Sequence, residues 1–265
     1  MKNTLIILLV TFFCLGCKKE QKQEQEKEKE EEKEKIKNDN QNLQSFNHNG
    51  VDREYLAFIP SSYNSASAVP LVLNFHGFGG NSSGYSSYAS MEALAEKENF
   101  ILIYPNGTEM DSYSHWNPSL PSSSNKSNAD DLGFIDMLIQ QLSIDYSIDS
   151  KRVYACGFSN GGMMSYGLAH HKSNLIAAVA SVSGAMLDAE VSPTHPMPVL
   201  IIHGTNDGVI PYNGSNDYNS VESTLNYWMN FNKIDSLSKS DTSISGNNTI
   251  QYFSYENGEN GVSVE

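Results

Sequence analysis

The stretch that decides the fold is residues 154–164, which read Tyr-Ala-Cys-Gly-Phe-Ser-Asn-Gly-Gly-Met-Met. An apolar run leads into this stretch and a helical run follows it. The pattern predicts a buried strand, an abrupt turn and a helix, with Ser159 at the apex of the turn. Gly157 and Gly161 stand two residues to either side of the serine, where a side chain would collide across so sharp a turn. Gly162 lets the helix lie close to the neighbouring strand.

Strand and helix patterns alternate on both sides of this turn. A near-continuous apolar run at 69–75 is typical of a strand buried on both faces. Further strands are predicted at 53–59 (an early edge strand), 100–104, 177–182, 199–202 and 249–255, and helices at 87–97, from Asp130 and Asp131 onward, and at 221–231. The stretch 108–128 is rich in Ser, Asn and Pro and is interpreted as a loop. This alternation predicts an α/β fold, a mostly parallel central sheet with helices on both faces.

The N-terminal 45 residues differ from the rest of the chain. Residues 1–16 combine Lys2 with a short apolar run, which indicates a signal peptide rather than a membrane-spanning helix. Leu15-Gly16-Cys17 resembles the lipobox of bacterial lipoproteins, although Cys14 stands where leucine is usual. The resemblance implies cleavage before Cys17 and lipidation of Cys17; simple secretion is the alternative. Residues 17–45 are interpreted as a Lys/Glu-rich tether, coil or helix, and residues 46–265 as the folded domain.

Charge excludes some partners. The chain of 265 residues carries a formal net charge of −14, and the tether holds equal numbers of Lys and Glu, eight of each. No basic stripe is present, so nucleic acid is excluded as a partner. An acidic surface also disfavours polyanionic substrates. Of the three cysteines, Cys156 stands alone in the predicted strand before Ser159, where a small buried hydrophobe is the favoured reading.

Several segments together resemble the polyhydroxybutyrate depolymerase and feruloyl or acetylxylan esterase group of α/β-hydrolases. The matching segments, in family order, are residues 74–80 (Asn-Phe-His-Gly-Phe-Gly-Gly), 104–107, 116–117, 129–136, 157–161 and 203–207 (His-Gly-Thr-Asn-Asp). The resemblance implies hydrolysis of an ester through an acyl-enzyme on a serine, without a cofactor. It covers residues 46–255 and is specific for the family but not for the substrate.

The resemblance also implies roles for individual residues. Ser159 is the nucleophile, in the Gly-x-Ser-x-Gly elbow between a strand and a helix, and Asp207 is the acid that orients the catalytic histidine. The backbone N–H groups of Phe78 and Asn160 form the oxyanion hole. Trp116 resembles a substrate-binding residue at the pocket edge, with core packing as the alternative.

Each of these roles has a plainer alternative. Ser159 could merely cap a helix, and Asp207 could cap a turn. His76 is expected to be a structural hydrogen-bonder, because its position does not suit the order serine, acid, histidine. Asp130 and Asp131 are read as helix-start caps rather than metal ligands, so no metal site is predicted.

The general base is missing from the predicted site, because none of the seven histidines follows Asp207. Three explanations compete. The favoured one is that the sequence is a fragment lacking the last strand and helix of the domain, with the strand starting near residues 260–265. The second is a pseudoenzyme that binds its ligand without cleaving it. The third recruits an upstream histidine such as His195, which would have to come within about 2.6–3.2 Å of the serine oxygen.

The sequence therefore predicts an extracytoplasmic ester hydrolase acting on feruloyl or acetyl groups of a polysaccharide, inactive or incomplete for lack of the histidine. Its expected partners are a polymeric or small acyl ester and, through the lipid anchor, a bacterial membrane. A polyhydroxybutyrate depolymerase is the alternative within enzymes. A non-catalytic polymer-binding protein of the cell surface is the alternative from another class.

Overall fold

The structure, a computed structural model, describes residues 41–120, 127–187 and 191–265. The signal peptide, Cys17 and most of the predicted tether lie outside the described residues. A seven-stranded sheet forms the centre of the domain, in the order β1-β2-β4-β3-β7-β8-β9. Its strands are β1 Gln41–His48, β2 Val51–Phe58, β3 Val69–Phe75, β4 Ile101–Pro105, β7 Ile148–Phe158, β8 Ala178–Val182 and β9 Val199–Ile202. The five strands β4, β3, β7, β8 and β9 run parallel to one another. β2 pairs in the antiparallel sense with β1 on one side and with β4 on the other. This confirms the predicted mostly parallel sheet.

Two expectations at the start of the domain were wrong. β2 is not an edge strand, because β1 pairs with it along its whole length, from Gln41 opposite Phe58 to His48 opposite Val51. The sheet therefore takes in residues 41–45, which the composition had assigned to the tether. Gln44 shows why these polar residues can join a sheet, since its side-chain oxygen accepts a hydrogen bond from the Tyr55 hydroxyl at 2.7 Å. An edge strand can be polar because one row of its backbone groups faces solvent.

Five α-helices connect these strands in the described residues. They are α1 Ser82–Ala89, α2 Glu92–Glu98, α3 Asp131–Asp145, α4 Asn160–His171 and α5 Val221–Asn232. The single helix expected at 87–97 is two helices, because Ser90 adopts a left-handed conformation with φ of 49° and ends α1. The other three helices lie where the sequence predicts them, within one or two residues.

Apolar helix faces cover the sheet on both sides. α1 and α2 pack on Leu56, Phe58, Leu102 and Tyr104 of β2 and β4. The alternate residues of the same strands, Tyr55, Ala57, Ile101 and Ile103, point to the opposite face and belong to the cluster that includes α3, α4 and α5. Successive side chains of a strand face opposite ways, so this division places helices on both faces as expected.

Two hairpins lie outside the central sheet. The stretch interpreted as a loop at 108–128 begins with the hairpin of β5 Thr108–Met110 and β6 Tyr113–His115. The strand expected at 249–255 is β11 Asn248–Ser254, which pairs with β10 Lys239–Ser245 rather than with the sheet. β10 is not predicted from the sequence, because its residues are all exposed and carry no apolar alternation.

The last described residues lie beside β9. Val264 forms a parallel bridge with Val199, and the Ile201 amide donates to the Glu265 carbonyl at 2.7 Å. Val264 is fully buried. The segment in which the sequence places the start of a further strand is therefore paired with the sheet. Among the described residues, no helix has the length and apolar composition needed to cross a membrane.

Candidate active site

Ser159 occupies the apex between β7, which ends at Phe158, and α4, which begins at Asn160. Its backbone has φ of 54° and ψ of −118°, a conformation that a residue with a side chain rarely adopts. The Ser159 amide donates to the carbonyl of Val182 at the end of β8, 2.8 Å away. Strained backbone of this kind persists only where the surroundings enforce it, and it concentrates at functional sites.

The glycines around Ser159 are required by close backbone approaches. A Cβ on Gly157 would lie 2.5 Å from the backbone of Gly161, and a Cβ on Gly161 would overlap the Phe75 carbonyl oxygen. A Cβ on Gly162 would overlap the hydroxyl of Ser181 on β8. These contacts confirm the predicted reason for the three glycines: the turn is closed by backbone against backbone, and α4 packs tightly on the neighbouring strand.

The loop that follows β3 lies close to the serine. A Cβ added to Gly77 would lie 3.5 Å from the Ser159 Cβ, so this loop and the turn are in contact. Gly79 has φ of 73° and donates its amide to the Ser114 carbonyl at 2.7 Å. Within the described chain, the amides of Phe78 and Asn160 take no part in backbone hydrogen bonds. The Asn160 amide also belongs to the first turn of α4, where unpaired N–H groups favour negative charge.

His76 holds this loop to the chain beyond it. Its Nδ1 lies 2.7 Å from the Gly77 carbonyl, and its Nε2 accepts a hydrogen bond from the Gly107 amide at 2.9 Å. The donor on Nδ1 and the acceptor on Nε2 define a neutral ring. Burial lowers the pKa of His76 below its ordinary value, which also favours the neutral ring. His76 is therefore a structural hydrogen-bonder, as predicted.

Trp116 is not at a pocket edge, which corrects the expected substrate-binding role. Its side chain is 2% exposed, donates its indole N–H to the His76 carbonyl at 3.0 Å, and packs edge-on against Phe75. The backbone of Trp116 contacts the side chain of Asn160 instead. Its amide donates to the Asn160 side-chain oxygen at 2.6 Å, and its carbonyl accepts from the Asn160 side-chain nitrogen at 3.0 Å. We call these two hydrogen bonds the clamp. The sequence predicts a role for the Asn160 backbone but not for the side chain that forms the clamp.

The β5–β6 hairpin is fastened to the same loop. The Ser114 hydroxyl donates to the Gly80 carbonyl, in addition to the bond from the Gly79 amide to the Ser114 carbonyl. Asp111 and Ser112 form the turn with φ of 51° and 69°. Left-handed values at both central residues are typical of the tight two-residue hairpin turn. The polar Asp-Ser pair between two short alternating runs was the signal that could have predicted it.

Asp131 accepts hydrogen bonds from the β5–β6 hairpin and from the residue that follows Trp116. Asp130 caps α3 as predicted, accepting the Gly133 amide at 2.9 Å, but Asp131 is fully buried and pairs with Arg53 at 2.7 Å. Its second carboxylate oxygen accepts the Asn117 amide, also at 2.7 Å. A buried charge is stable only when it is paired and hydrogen-bonded. The role of Asp131 is therefore structural, beyond that of a helix cap.

Asp207 lies in the turn that follows β9. One carboxylate oxygen accepts the amides of Val209 and Ile210 at 2.8 and 3.0 Å, and the other lies 3.6 Å from His203 Nε2. The two backbone hydrogen bonds, Ile210 first, lower the pKa of Asp207, so the carboxylate is ionised at neutral pH. Both Ser159 and Asp207 follow the carboxyl ends of parallel strands, and those ends share one edge of the sheet.

His203 is the histidine next to Asp207, and its ring is already engaged. Its Nε2 donates to the Ile210 carbonyl at 2.8 Å, and its Nδ1 is buried without a hydrogen-bond partner among the described residues. The side chain is only 3% exposed. A general base needs a nitrogen free to reach the serine hydroxyl. His203 instead fastens the turn that carries Asp207.

The remaining histidines lie elsewhere. His195 precedes β9 and Asp207 follows it, so that this four-residue strand, about 13 Å long, separates the two along the chain. His170 and His171 end α4, roughly 16 Å along the helix from its start. His48 contacts Asp130, and both ring nitrogens of His115 contact polar partners. Of the seven histidines, His203 is the one whose ring lies near the Asp207 carboxylate, with Nε2 3.6 Å from Oδ2.

Other titratable groups do not suggest a metal or redox site. The described residues contain no group of three or more His, Cys, Asp or Glu placed to hold a metal ion. Burial raises the pKa of the Cys156 thiol to about 12, so it stays protonated at neutral pH. The groups assigned to the candidate site from the sequence are the Ser159 hydroxyl, two backbone amides and the Asp207 carboxylate.

Known proteins are similar to this chain in sequence and in fold. The family model described as phospholipase/carboxylesterase matches residues 57–248. The chain is 33% identical over 167 residues to a probable feruloyl esterase C of Aspergillus clavatus, an alignment covering 61% of this chain and 57% of that protein. It is 29% identical over 226 residues to feruloyl esterase B of Piromyces equi, covering 80% of this chain and 40% of the relative. The chain thus spans about half the length of these relatives.

The structural comparison agrees with the family. The fold matches an acetyl xylan esterase from Aspergillus awamori with a TM-score of 0.61 and 19% identity, over 80% of this chain and 91% of that one. At this identity the likeness speaks for the fold alone. The family model, in contrast, covers well over half of the residues. The chain therefore belongs to the phospholipase/carboxylesterase family, built on the α/β-hydrolase fold.

Proposed function

We propose that this protein is a carboxylic ester hydrolase that forms an acyl-enzyme on Ser159 and acts on feruloyl or acetyl esters of a polysaccharide. The observation that carries the proposal is the strained backbone of Ser159, with φ of 54°, at the apex of the β7–α4 turn. The surrounding contacts hold the serine out of both the strand and the helix, next to Asn160 and close to the loop that carries Phe78. A serine that merely capped α4 would need none of this strain, and its side chain makes no cap hydrogen bond.

The proposed chemistry is acyl transfer. The Ser159 hydroxyl oxygen attacks the ester carbonyl, its proton passes to a general base, and the carbonyl oxygen becomes negative. The amides of Phe78 and Asn160 donate hydrogen bonds to that oxygen, and one such donor is typically worth about 10²–10³ in rate. Collapse expels the alcohol of the sugar with the proton, and water then cleaves the acyl-enzyme by the same steps. No cofactor enters this scheme.

The base of this scheme is not among the seven histidines of the chain. This part of the proposal rests on the contacts of two histidines. Both ring nitrogens of His76 make hydrogen bonds, and the buried His203 donates from Nε2 to the Ile210 carbonyl. Asp207 nevertheless keeps an oxygen that carries no amide hydrogen bond, as an imidazole partner requires. Ester hydrolysis by these residues alone is expected to be several orders of magnitude slower than by a complete triad.

The relatives support the choice of substrate. Their names give feruloyl esters and acetylated xylan as substrates, and we propose the same class for this chain. Because the chain spans only part of these relatives, this transfer is part of the proposal. The engagement of the histidines also favours a second candidate, a surface protein that binds the esterified polymer without cleaving it.

The place of action is proposed from the N-terminal sequence. The apolar segment and Leu15-Gly16-Cys17 support export and lipid attachment at Cys17, with secretion as the alternative. These residues lie outside the described part of the chain. Metabolic labelling with a radioactive fatty acid tests the anchor, because Cys17→Ala should abolish the label.

Release assays test the substrate. Feruloylated xylan, acetylated xylan and polyhydroxybutyrate are each incubated with the 265-residue chain, its Ser159→Ala variant and added imidazole as an external base. We expect slow release of ferulate or acetate that depends on Ser159. Release only from polyhydroxybutyrate would assign a polyester substrate. Binding to the xylans without any Ser159-dependent release would favour the non-catalytic candidate.

A further inference from the structure

Two aromatic side chains form an exposed stacked pair beside the candidate active site. Phe78 and Tyr113 have ring centroids 5.5 Å apart and planes inclined by 23°. Their side chains are 55% and 57% exposed. We call this pair the aromatic platform. Aromatic rings that remain exposed lose the gain from burial, and a cluster of them on a surface marks a binding site more often than a packing feature.

Hydrogen bonds fix the two segments that carry the platform. Phe78 lies in the loop fixed by His76, and Tyr113 follows the tight turn at Asp111 and Ser112, where two non-glycine residues take left-handed conformations. Gly79 follows Phe78 and Ser114 follows Tyr113. The Gly79 amide donates a hydrogen bond to the Ser114 carbonyl, which joins the two segments next to the rings. A surface that is ordered before its ligand arrives loses little conformational entropy on binding.

The platform adjoins Ser159. Gly77, the neighbour of Phe78, contacts both Ser159 and the ring of Phe158, since a Cβ on Gly77 would lie 3.5 Å from the Ser159 Cβ and 3.2 Å from Phe158 Cδ1. When an ester of a polymer is bound at Ser159, a short neighbouring segment of the same polymer would therefore reach the platform.

The chemistry of the platform selects its ligand. The hairpin that carries Tyr113 also carries exposed carboxylates on Glu109 and Asp111, and the whole chain is acidic, so an anionic ligand is disfavoured. Carboxylates accept hydrogen bonds from hydroxyl groups, and flat aromatic faces pack against the C–H face of a sugar ring. We propose that Phe78 and Tyr113 bind a neutral sugar ring of the polysaccharide whose ester reacts at Ser159.

This inference rests on the proposed function and names the part of the substrate that the platform holds. The acyl group itself is a poorer fit. A planar aryl ring is usually enclosed so that both of its faces are buried. The platform is instead open to solvent on its outer side, as suits a polymer that stays half hydrated while bound.

Binding, rather than turnover, tests the inference. The 265-residue chain is titrated with unesterified xylohexaose by isothermal calorimetry, and its migration is retarded in gels containing soluble xylan. We expect Tyr113→Ala to weaken binding about 3- to 10-fold, as loss of one aromatic contact implies, and Tyr113→Phe to retain it. The matched control is Phe253→Ala, which removes an exposed ring from the separate β10–β11 hairpin and should leave binding unchanged.

Three results would overturn the inference: no binding by the unmodified chain, equal weakening by Phe253→Ala, or a Tyr113-dependent site for methyl ferulate but not for xylohexaose. Because none of these readouts requires catalysis, a failure of ester hydrolysis leaves them interpretable. Conversely, Ser159-dependent hydrolysis without xylohexaose binding would retain the esterase and refute the sugar platform.

Discussion

The side chain of Asn160 and the backbone of Trp116 are joined by two reciprocal hydrogen bonds, of 2.6 and 3.0 Å. The residue that offers its backbone amide to the proposed oxyanion hole thus also fixes the segment after the β5–β6 hairpin. Through the indole of Trp116, which bonds the His76 carbonyl, the same clamp reaches the loop of Phe78. Both proposed oxyanion donors are positioned by one connected set of contacts.

Asn160→Ala removes both hydrogen bonds of the clamp and leaves the Trp116 backbone groups unpaired. The expected loss of unfolding free energy is about 1–3 kcal/mol, measured by urea denaturation. The Ser159-dependent rate should also fall, by up to about 10²-fold, if the amide shifts. Gln140→Ala is the control, because Gln140 makes an exposed amide hydrogen bond to Asp136 on α3. Equal effects of the two substitutions would refute the clamp.

Asp131→Asn leaves the guanidinium of Arg53 buried without its counter-charge. Both side chains are nearly inaccessible, at 5% and 0% exposure. We expect a loss of about 3–5 kcal/mol in unfolding free energy, because breaking a buried ion pair strands a charge. Chemical denaturation of Asp149→Asn provides the comparison, since its pair with Arg152 is half exposed and should matter much less. A small effect of Asp131→Asn would show that Arg53 finds another partner or reaches solvent.

His76 should titrate below the ordinary histidine value of about 6.5. Burial lowers its folded pKa, so between the unfolded and folded values the unfolded chain binds a proton that the folded chain does not. Stability is therefore retained above about pH 6.5 and lost as pH falls from there toward the folded pKa. An NMR titration of the ring reports the pKa directly. A midpoint at or above 6.5 would contradict the neutral, doubly bonded ring.

The sequence predicted the parts of the fold that depend on local pattern. β3, β9 and α5 were found because their apolar runs and periodicity are strong. The turn at Ser159 was found because its glycines are close together in sequence, although Gly161 also approaches the Phe75 carbonyl of β3 and Gly162 the Ser181 hydroxyl of β8. β1 was missed because an edge strand needs little apolar surface, and β10 because it is exposed on both faces.

The candidate site residues can be named from the sequence, but the contacts that support them cannot. Ser159, Asp207 and the two loops follow strand ends, which sequence order reveals. The buried pair of Arg53 and Asp131 joins residues 78 positions apart, and the clamp of Asn160 and Trp116 joins residues 44 apart. Such contacts exist only in the assembled fold. The family resemblance placed Trp116 at the pocket edge, whereas its ring fills the core and its backbone serves the site.

The central claim is that Ser159 is a nucleophile whose general base is none of the histidines in these 265 residues. Its most direct test is the hydrolysis of p-nitrophenyl acetate by this chain and by Ser159→Ala, across increasing imidazole concentrations, with the Ser159→Ala rate subtracted. The prediction is a very low Ser159-dependent rate without imidazole that rises as imidazole is added, because the free base takes the serine proton. Rapid Ser159-dependent turnover that imidazole does not change would contradict the account.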